Sequence, residues 1–171
     1  MAVCLHSRYA TRVLLRVAFD EYWDSRDVYS IARRTPWEKW FGPDVTFRIH
    51  STANRCPLES LDFATLRIKD GLCDRFNELA RRPDVRLEAY FTFDHVSFYI
   101  DLAGESLFKR GWRLEHGEAP LKENLAAALL ALSGWTPEKP LVDPFCGSGT
   151  IAIEAASIAA NMAPGLKRSF A

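Results

Sequence analysis

Between Val45 and Ser51 the chain alternates, with Val45, Phe47 and Ile49 set against Thr46, Arg48 and His50, which predicts a half-buried strand. Helical spacing follows: Leu61, Ala64, Ile68, Leu72, Phe76 and Leu79 form one apolar face, ended by Pro83-Asp84. Gly71 lies inside that helix at a cost of about 1 kcal/mol relative to alanine, so a close backbone or helix contact is expected there. Period two then returns. Val85, Leu87, Ala89, Phe91 and Phe93 share a face, Val96, Phe98, Ile100 and Leu102 share the answering one, and Asp94-His95 is the expected hairpin turn. Upstream, "RVLLRVAFDEY" reads as another strand and "SRDVYSIARR" as a short helix capped by Ser25. Helices over one apolar sheet face make an α+β unit.

The pattern changes after Leu102. "GESLFKRGWRLEHGEAP" is polar and punctuated by glycine, as a linker would be. Pro120 is expected in the first turn of a new helix, with Glu123 near its positive end. Leu121, Leu125, Leu129 and Leu132 give that helix an apolar stripe, and Gly134 stops it. "LVDPFCGSGTIAIEAA" then predicts a buried strand ending at Asp143, a glycine turn, and a helix carrying Ile151, Ala155 and Ile158.

Composition narrows the classes. With 22 basic and 22 acidic residues in 171, the chain is no strongly basic clamp, so any attraction to phosphate must be local. The apolar run Leu125–Leu132 ends at Ser133-Gly134 and Glu154 interrupts the later one, so neither is long enough for a membrane span. Cys4, Cys56, Cys73 and Cys146 form no C-x-x-C pair, and His6, His50, His95 and His116 have no metal-ligand spacing; no metal and reduced cytoplasmic thiols are the reading.

The chemistry concentrates at the turn. A strand ending in a carboxylate, then Gly147-Ser148-Gly149-Thr150 and a helix, is how an α/β fold builds a ligand site at the carboxyl edge of its sheet. The glycines permit tight turns and close ligand approach, and the helix N-terminus attracts an anion. Asp143 suits an ammonium group, so an amino acid moiety fits both ends of the turn. A bare G-x-G also serves as an ordinary connection. No lysine follows Gly149 as a phosphate loop requires, and Ala152 stands where a dinucleotide fingerprint has its third glycine.

The whole octet "DPFCGSGT" closely resembles the S-adenosylmethionine motif of class I methyltransferases, in the variant typical of RNA methyltransferases with a THUMP domain. "GEAPLKENLAAALLALSGW" resembles the helix preceding the cofactor strand, "LAGESLFKRGWR" the end of the THUMP domain, and "RIKDGLCDRF" its long helix. The resemblance points to the bacterial 23S rRNA guanine-N2 methyltransferase family, whose members are often labelled N6-adenine-specific DNA methylases. It implies a THUMP-type α+β domain over residues 1–103, a linker over 104–118, and from 119 to 171 the first helix-strand-helix of a Rossmann-like α/β methyltransferase domain. It also implies S-adenosylmethionine as cofactor. Asp143 would lie near the methionine amino group, Pro144, Cys146, Gly147, Ser148, Gly149 and Thr150 would wrap the methionine end, and Pro120, Leu121, Lys122 and Glu123 would flank the pocket. Methyl transfer to an exocyclic amine uses the amine's own lone pair, so Cys146 is expected to pack in the turn rather than act as a nucleophile.

The family's catalytic sheet continues past this point, with an acidic residue for the cofactor ribose and an [N/D]-P-P-[Y/F] loop for the target amine. The 171 residues are therefore expected to be a fragment, inactive alone, with no catalytic residue of their own. The expected reaction of the parent is formation of N2-methylguanosine in 23S rRNA; alternatives are N6-adenine methylation of DNA or RNA, or a non-catalytic RNA-binding module. Candidate RNA contacts are Arg67, Lys69 and Arg75 on one helix, which also reads as a solvated face, and Lys109, Arg110 and Arg113 around Trp112. Arg8, Arg12 and Arg16 read as exposed arginines, and Trp37 and Trp40 as core anchors.

Overall fold

The computed structural model describes residues 2–42, 45–76, 85–113 and 120–170. Leu79, Pro83-Asp84 and His116 lie outside the described residues. The chain divides into two compact units, one of residues 14–101 and one combining 1–13 with 102–170. Residues 1–13, expected with the N-terminal domain, thus group with the C-terminal segment.

The first unit holds β1 (Leu14–Glu21), α2 (Ser25–Arg34), β2 (Phe47–Ala53), α3 (Leu61–Phe76), β3 (Val85–Phe91) and β4 (His95–Asp101). The sheet order is β1-β4-β3-β2. β4 pairs antiparallel with β1 and β3, while β2 and β3 run parallel, joined by the crossover through α3 that parallel neighbours require. Alternation decides the inner face: Leu87, Ala89 and Phe91 stand opposite Ile100, Phe98 and Val96, and all six are buried. Val28, Ile31 and Ala32 of α2 and Ala64, Ile68 and Leu72 of α3 are buried with them. Burying each large aliphatic side chain contributes about 1.5–3 kcal/mol. At Gly71 the two helices approach closely, since an added Cβ would lie 2.6 Å from the Tyr29 carbonyl oxygen.

Local details depart from the sequence reading. Asp24, not Ser25, caps α2: its carboxylate accepts from the Arg26 and Asp27 amides, and Asp27 reaches back to the Asp24 amide in a capping box. His95 already belongs to β4, so the hairpin turn is Thr92-Phe93-Asp94 and leaves Phe93 70% exposed. Leu102 packs in the second unit, beside Cys4, Ala103 and Leu107. Trp37 is fully buried, its indole N–H donating to the Ala32 carbonyl at 2.7 Å, but Trp40 is half exposed.

The second unit contains α1 (Ala2–His6), α4 (Glu123–Leu132) and α5 (Thr150–Ala159). Glu123 begins α4 and Lys122 is its N-cap, so Pro120 precedes the helix instead of opening it. The leucine stripe is the outer face: Leu125, Leu129 and Leu132 are 51%, 50% and 85% exposed. The buried face is Glu123, Asn124, Ala126, Ala127 and Leu130, whose small residues let α4 pack closely on α5. A helix apolar nearly all round does not say which stripe is buried. Residues 141–143 form no strand, and Val142 is 83% exposed, because none of the described strands lies beside them to complete a ladder.

Candidate functional site

The glycine turn starts at Asp143, whose Oδ1 accepts the Phe145 amide at 3.2 Å and folds the chain back. Gly147 and Gly149 take φ of 53° and 74°, the left-handed region that a side chain strains. Among the described residues, no heavy atom outside its immediate neighbours lies within 4 Å of where a Gly147 Cβ would stand, so the backbone there borders open space. Gly149 is the N-cap of α5, which leaves the first amides of that helix without intrahelical acceptors. Together with Pro120 and Leu121 the turn encloses a cavity of about 330 Å³.

That cavity gathers Pro120, Leu121, Asp143, Cys146, Gly147, Ser148 and Thr150 of the expected cofactor set. It adds Phe145 and Ile151, neither of which was expected in the cofactor set. Pro144 and Gly149 belong to the turn without lining it, and Lys122 and Glu123 face a different cavity. Cys146 is exposed, which removes the expected packing role.

Arg113 holds the walls together. Its Nε donates to Glu123 Oε1 at 2.9 Å, and Nη1 to Ser148 Oγ at 3.0 Å. Nη2 donates to Thr150 Oγ1 at 2.8 Å and to the Leu121 carbonyl at 3.3 Å. One planar cation thereby ties the approach to α4, the glycine turn and the start of α5. Its side chain is 11% exposed and that of Glu123 6%, so Arg113 is a clamp and not an RNA-facing cation.

A second buried ion group lies behind it. Glu154 is 1% exposed and faces Arg110 at 3.3 Å and Arg8 at 3.8 Å. Burial pushes its carboxyl up from the ordinary range, against the pull of both arginines. Burial likewise lowers Arg8, whose guanidinium also reaches Ser157 Oγ and the Ser157 and Met162 carbonyls. Arg8 and Arg110 therefore leave the set of surface cations: Arg110 is 4% exposed and also donates to the Leu107 and Arg8 carbonyls. Glu154 itself, a lone carboxylate on an apolar helix face, was the sequence signal for such a group.

Beside the turn lies a larger cavity, of about 590 Å³, reaching from Glu105 to Ser169 and sharing Pro120 and Leu121 as walls with the first. Lys109 is exposed there and paired with Glu105 at 3.3 Å. On α3, Lys69 is exposed, and no ion pair holds it among the described residues. Arg67 covers the Tyr29 ring at 4.6 Å and pairs with Asp70, and Arg75 grips Glu38 through two nitrogens. Among the described residues there is no cluster of His, Cys, Asp or Glu suited to a metal, and no helix long and apolar enough to cross a membrane.

Residues 22–101 match the family model of the THUMP domain, and residues 110–171 match that described as RMKL-like, methyltransferase domain. The ribosomal RNA large subunit methyltransferase K/L of Pseudoalteromonas translucida is 45% identical over 177 residues, covering 97% of this chain and 25% of the relative. The protein of the same name from Allochromatium vinosum is 45% identical, covering 96% and 24%. The chain thus spans about a quarter of the length of these relatives. A solved structure from Listeria monocytogenes, named a predicted N6-adenine-specific DNA methylase, superposes with a TM-score of 0.92 at 35% identity over 98% of this chain and 46% of its own. SMU.472, a candidate methyltransferase complexed with SAH, superposes at 0.88 with 34% identity over 98% and 47%.

Proposed function

We propose that this chain, a THUMP domain followed by the start of an RMKL-like methyltransferase domain, binds ribosomal RNA and seats the methionine end of S-adenosylmethionine at the turn 143–150. The observation that carries the reading is the turn itself: an acidic residue, two left-handed glycines, open space at Gly147 and a helix N-terminus around one cavity. Asp143 takes the ammonium group, and the backbone amides at the start of α5 take the carboxylate. The cofactor, when bound, supplies an electrophilic methyl group; the residues of this chain orient its amino acid end. Arg113 fixes the wall opposite the turn through Glu123, Ser148 and Thr150.

The activity proposed for a protein of the relatives' length is N2-methylation of a guanine in 23S rRNA, in the cytoplasm. Support comes from the relatives' names and from the match of both halves of the chain. Lys69 and Lys109 are the exposed cations of the expected RNA set, with Arg67 and Arg75 beside Lys69. The name of the Listeria structure favours a second reading, N6-adenine methylation. Methylating undermethylated large-subunit RNA with such a protein, and mapping the product, separates the two: N2-methylguanosine supports the first, N6-methyladenosine replaces it, and no transfer refutes both. The 171 residues alone are expected to bind the cofactor more weakly than millimolar and to transfer no methyl group. Tight binding in calorimetry would show that the turn is a more complete site than proposed.

A further inference from the structure

The larger cavity differs in kind from the glycine turn. Six cations and two carboxylates line it among the described residues. Some of that charge is neutralised, because Arg110 is paired with Glu154, Arg113 with Glu123 and Lys109 with Glu105. Three cations are not paired with a carboxylate among the described residues: Lys122, Lys167 and Arg168. Arg168 donates both terminal nitrogens to the Ala103, Glu105, Ser106 and Lys109 carbonyls, lies over the Phe170 ring at 5.9 Å and feels the Glu105 carboxylate, and its buried Nε has no hydrogen-bond partner among the described residues. Carbonyls orient a guanidinium without cancelling its charge. Lys122 extends over the Phe108 ring, 5.3 Å from its centroid. Gly111, at φ 84°, lets the Lys167 carbonyl come within 3.2 Å of where a Cβ would stand, and so seats the 167–169 segment against the 109–113 segment.

We infer that this cavity is a seat for the phosphate backbone of the RNA strand, with the exposed Lys122 and Lys167 as its contacting cations and Arg168, its terminal donors engaged by carbonyls, as positive charge in the wall behind them. The inference rests on the proposed RNA substrate and adds a site to it. The cavity's volume takes a nucleotide unit, which suits a strand better than a single small ion. Its position supplies the functional sense: Pro120 and Leu121 wall both cavities, so a strand held here passes directly beside the cofactor turn. Lys122, expected from the sequence at the cofactor, then serves the RNA.

The test is filter binding of the 171-residue chain to a fragment of large-subunit ribosomal RNA between 50 and 200 mM salt. Each phosphate contact contributes roughly 0.7–0.9 to the slope of log affinity against log salt, so losing two makes the affinity drop over this fourfold range about tenfold smaller. Lys122→Ala/Lys167→Ala is expected to show that change, and Lys39→Ala/Lys139→Ala, which removes the same charge outside the cavity, to keep nearly the wild-type slope. A wild-type slope for the first pair overturns the seat while leaving RNA binding intact. Equal flattening by both pairs reduces it to an effect of net charge and also overturns it. Pyrophosphate that displaces the RNA at micromolar concentration would make the cavity a small-anion site instead. No binding by the wild-type chain removes the RNA reading itself, and the seat with it.

Discussion

Replacing Arg113 with methionine keeps most of the side chain's bulk and deletes its charge and four hydrogen bonds. Ser148 is exposed and can turn to water, but Glu123 and Thr150 are each 4% exposed and cannot. Glu123 would be left as a buried carboxylate without its cation, which costs about 3–5 kcal/mol, a large share of the 5–15 kcal/mol that typically holds a domain folded. Removing both charges in Arg113→Met/Glu123→Leu should recover most of the loss, less about 0.3–1 kcal/mol for the acidic residue at the start of α4. The coupling between the two sites should exceed about 2 kcal/mol. Because the chain has two compact units, the measurement is residue-resolved amide exchange across 147–153, together with urea unfolding. A single variant that loses less than about 1 kcal/mol, or a double variant as unstable as the single, would refute the clamp.

Three further outcomes follow from the geometry. Gly71→Ala should destabilise by about 1–3 kcal/mol despite alanine's better helix propensity, because the new methyl meets the Tyr29 carbonyl; a raised melting temperature would sink the packing argument. In a protein of the relatives' length, Asp143→Ala should weaken S-adenosylmethionine binding about ten- to a hundredfold. Asp143→Asn, which retains the acceptor for the Phe145 amide, should lose nearly as much if charge is the cause, and calorimetry decides it. Arg75 holds the Glu38 carboxyl at about 2, below its ordinary 4.5, so its stabilisation is complete above that ordinary value and is lost as the pH falls through about 2. The difference in melting temperature between wild type and Glu38→Gln should shrink over that window, and a difference constant in pH would contradict the pair.

The sequence by itself determined what depends on local period and on the intrinsic preferences of single residues. Leu87, Ala89 and Phe91 against Val96, Phe98 and Ile100 could form only a hairpin with one buried face, and the structure pairs them so. Gly71 announced a close helix contact because nothing else repays glycine inside a helix. The octet from Asp143 to Thr150 was legible as a tight turn into a helix, because its two glycines suit the left-handed conformation that a side chain strains. Tertiary structure decided what depends on which surfaces meet. Leu125, Leu129 and Leu132 of α4 lost the buried face to Ala126, Ala127 and Leu130, since hydrophobicity fixes no orientation in a helix apolar nearly all round. The apolar residues at 141 and 142 became no strand, because a ladder needs a neighbour that periodicity does not supply. The cations divided in the same way. Arg110 and Arg113 read like Lys109 along the chain, yet burial opposite Glu154 and Glu123 made them structural and left Lys109 at the surface. A buried carboxylate must find its cation wherever the fold brings one, and that choice is made here across 10 residues of chain for Glu123 and 44 for Glu154, outside the repeat of any helix or strand.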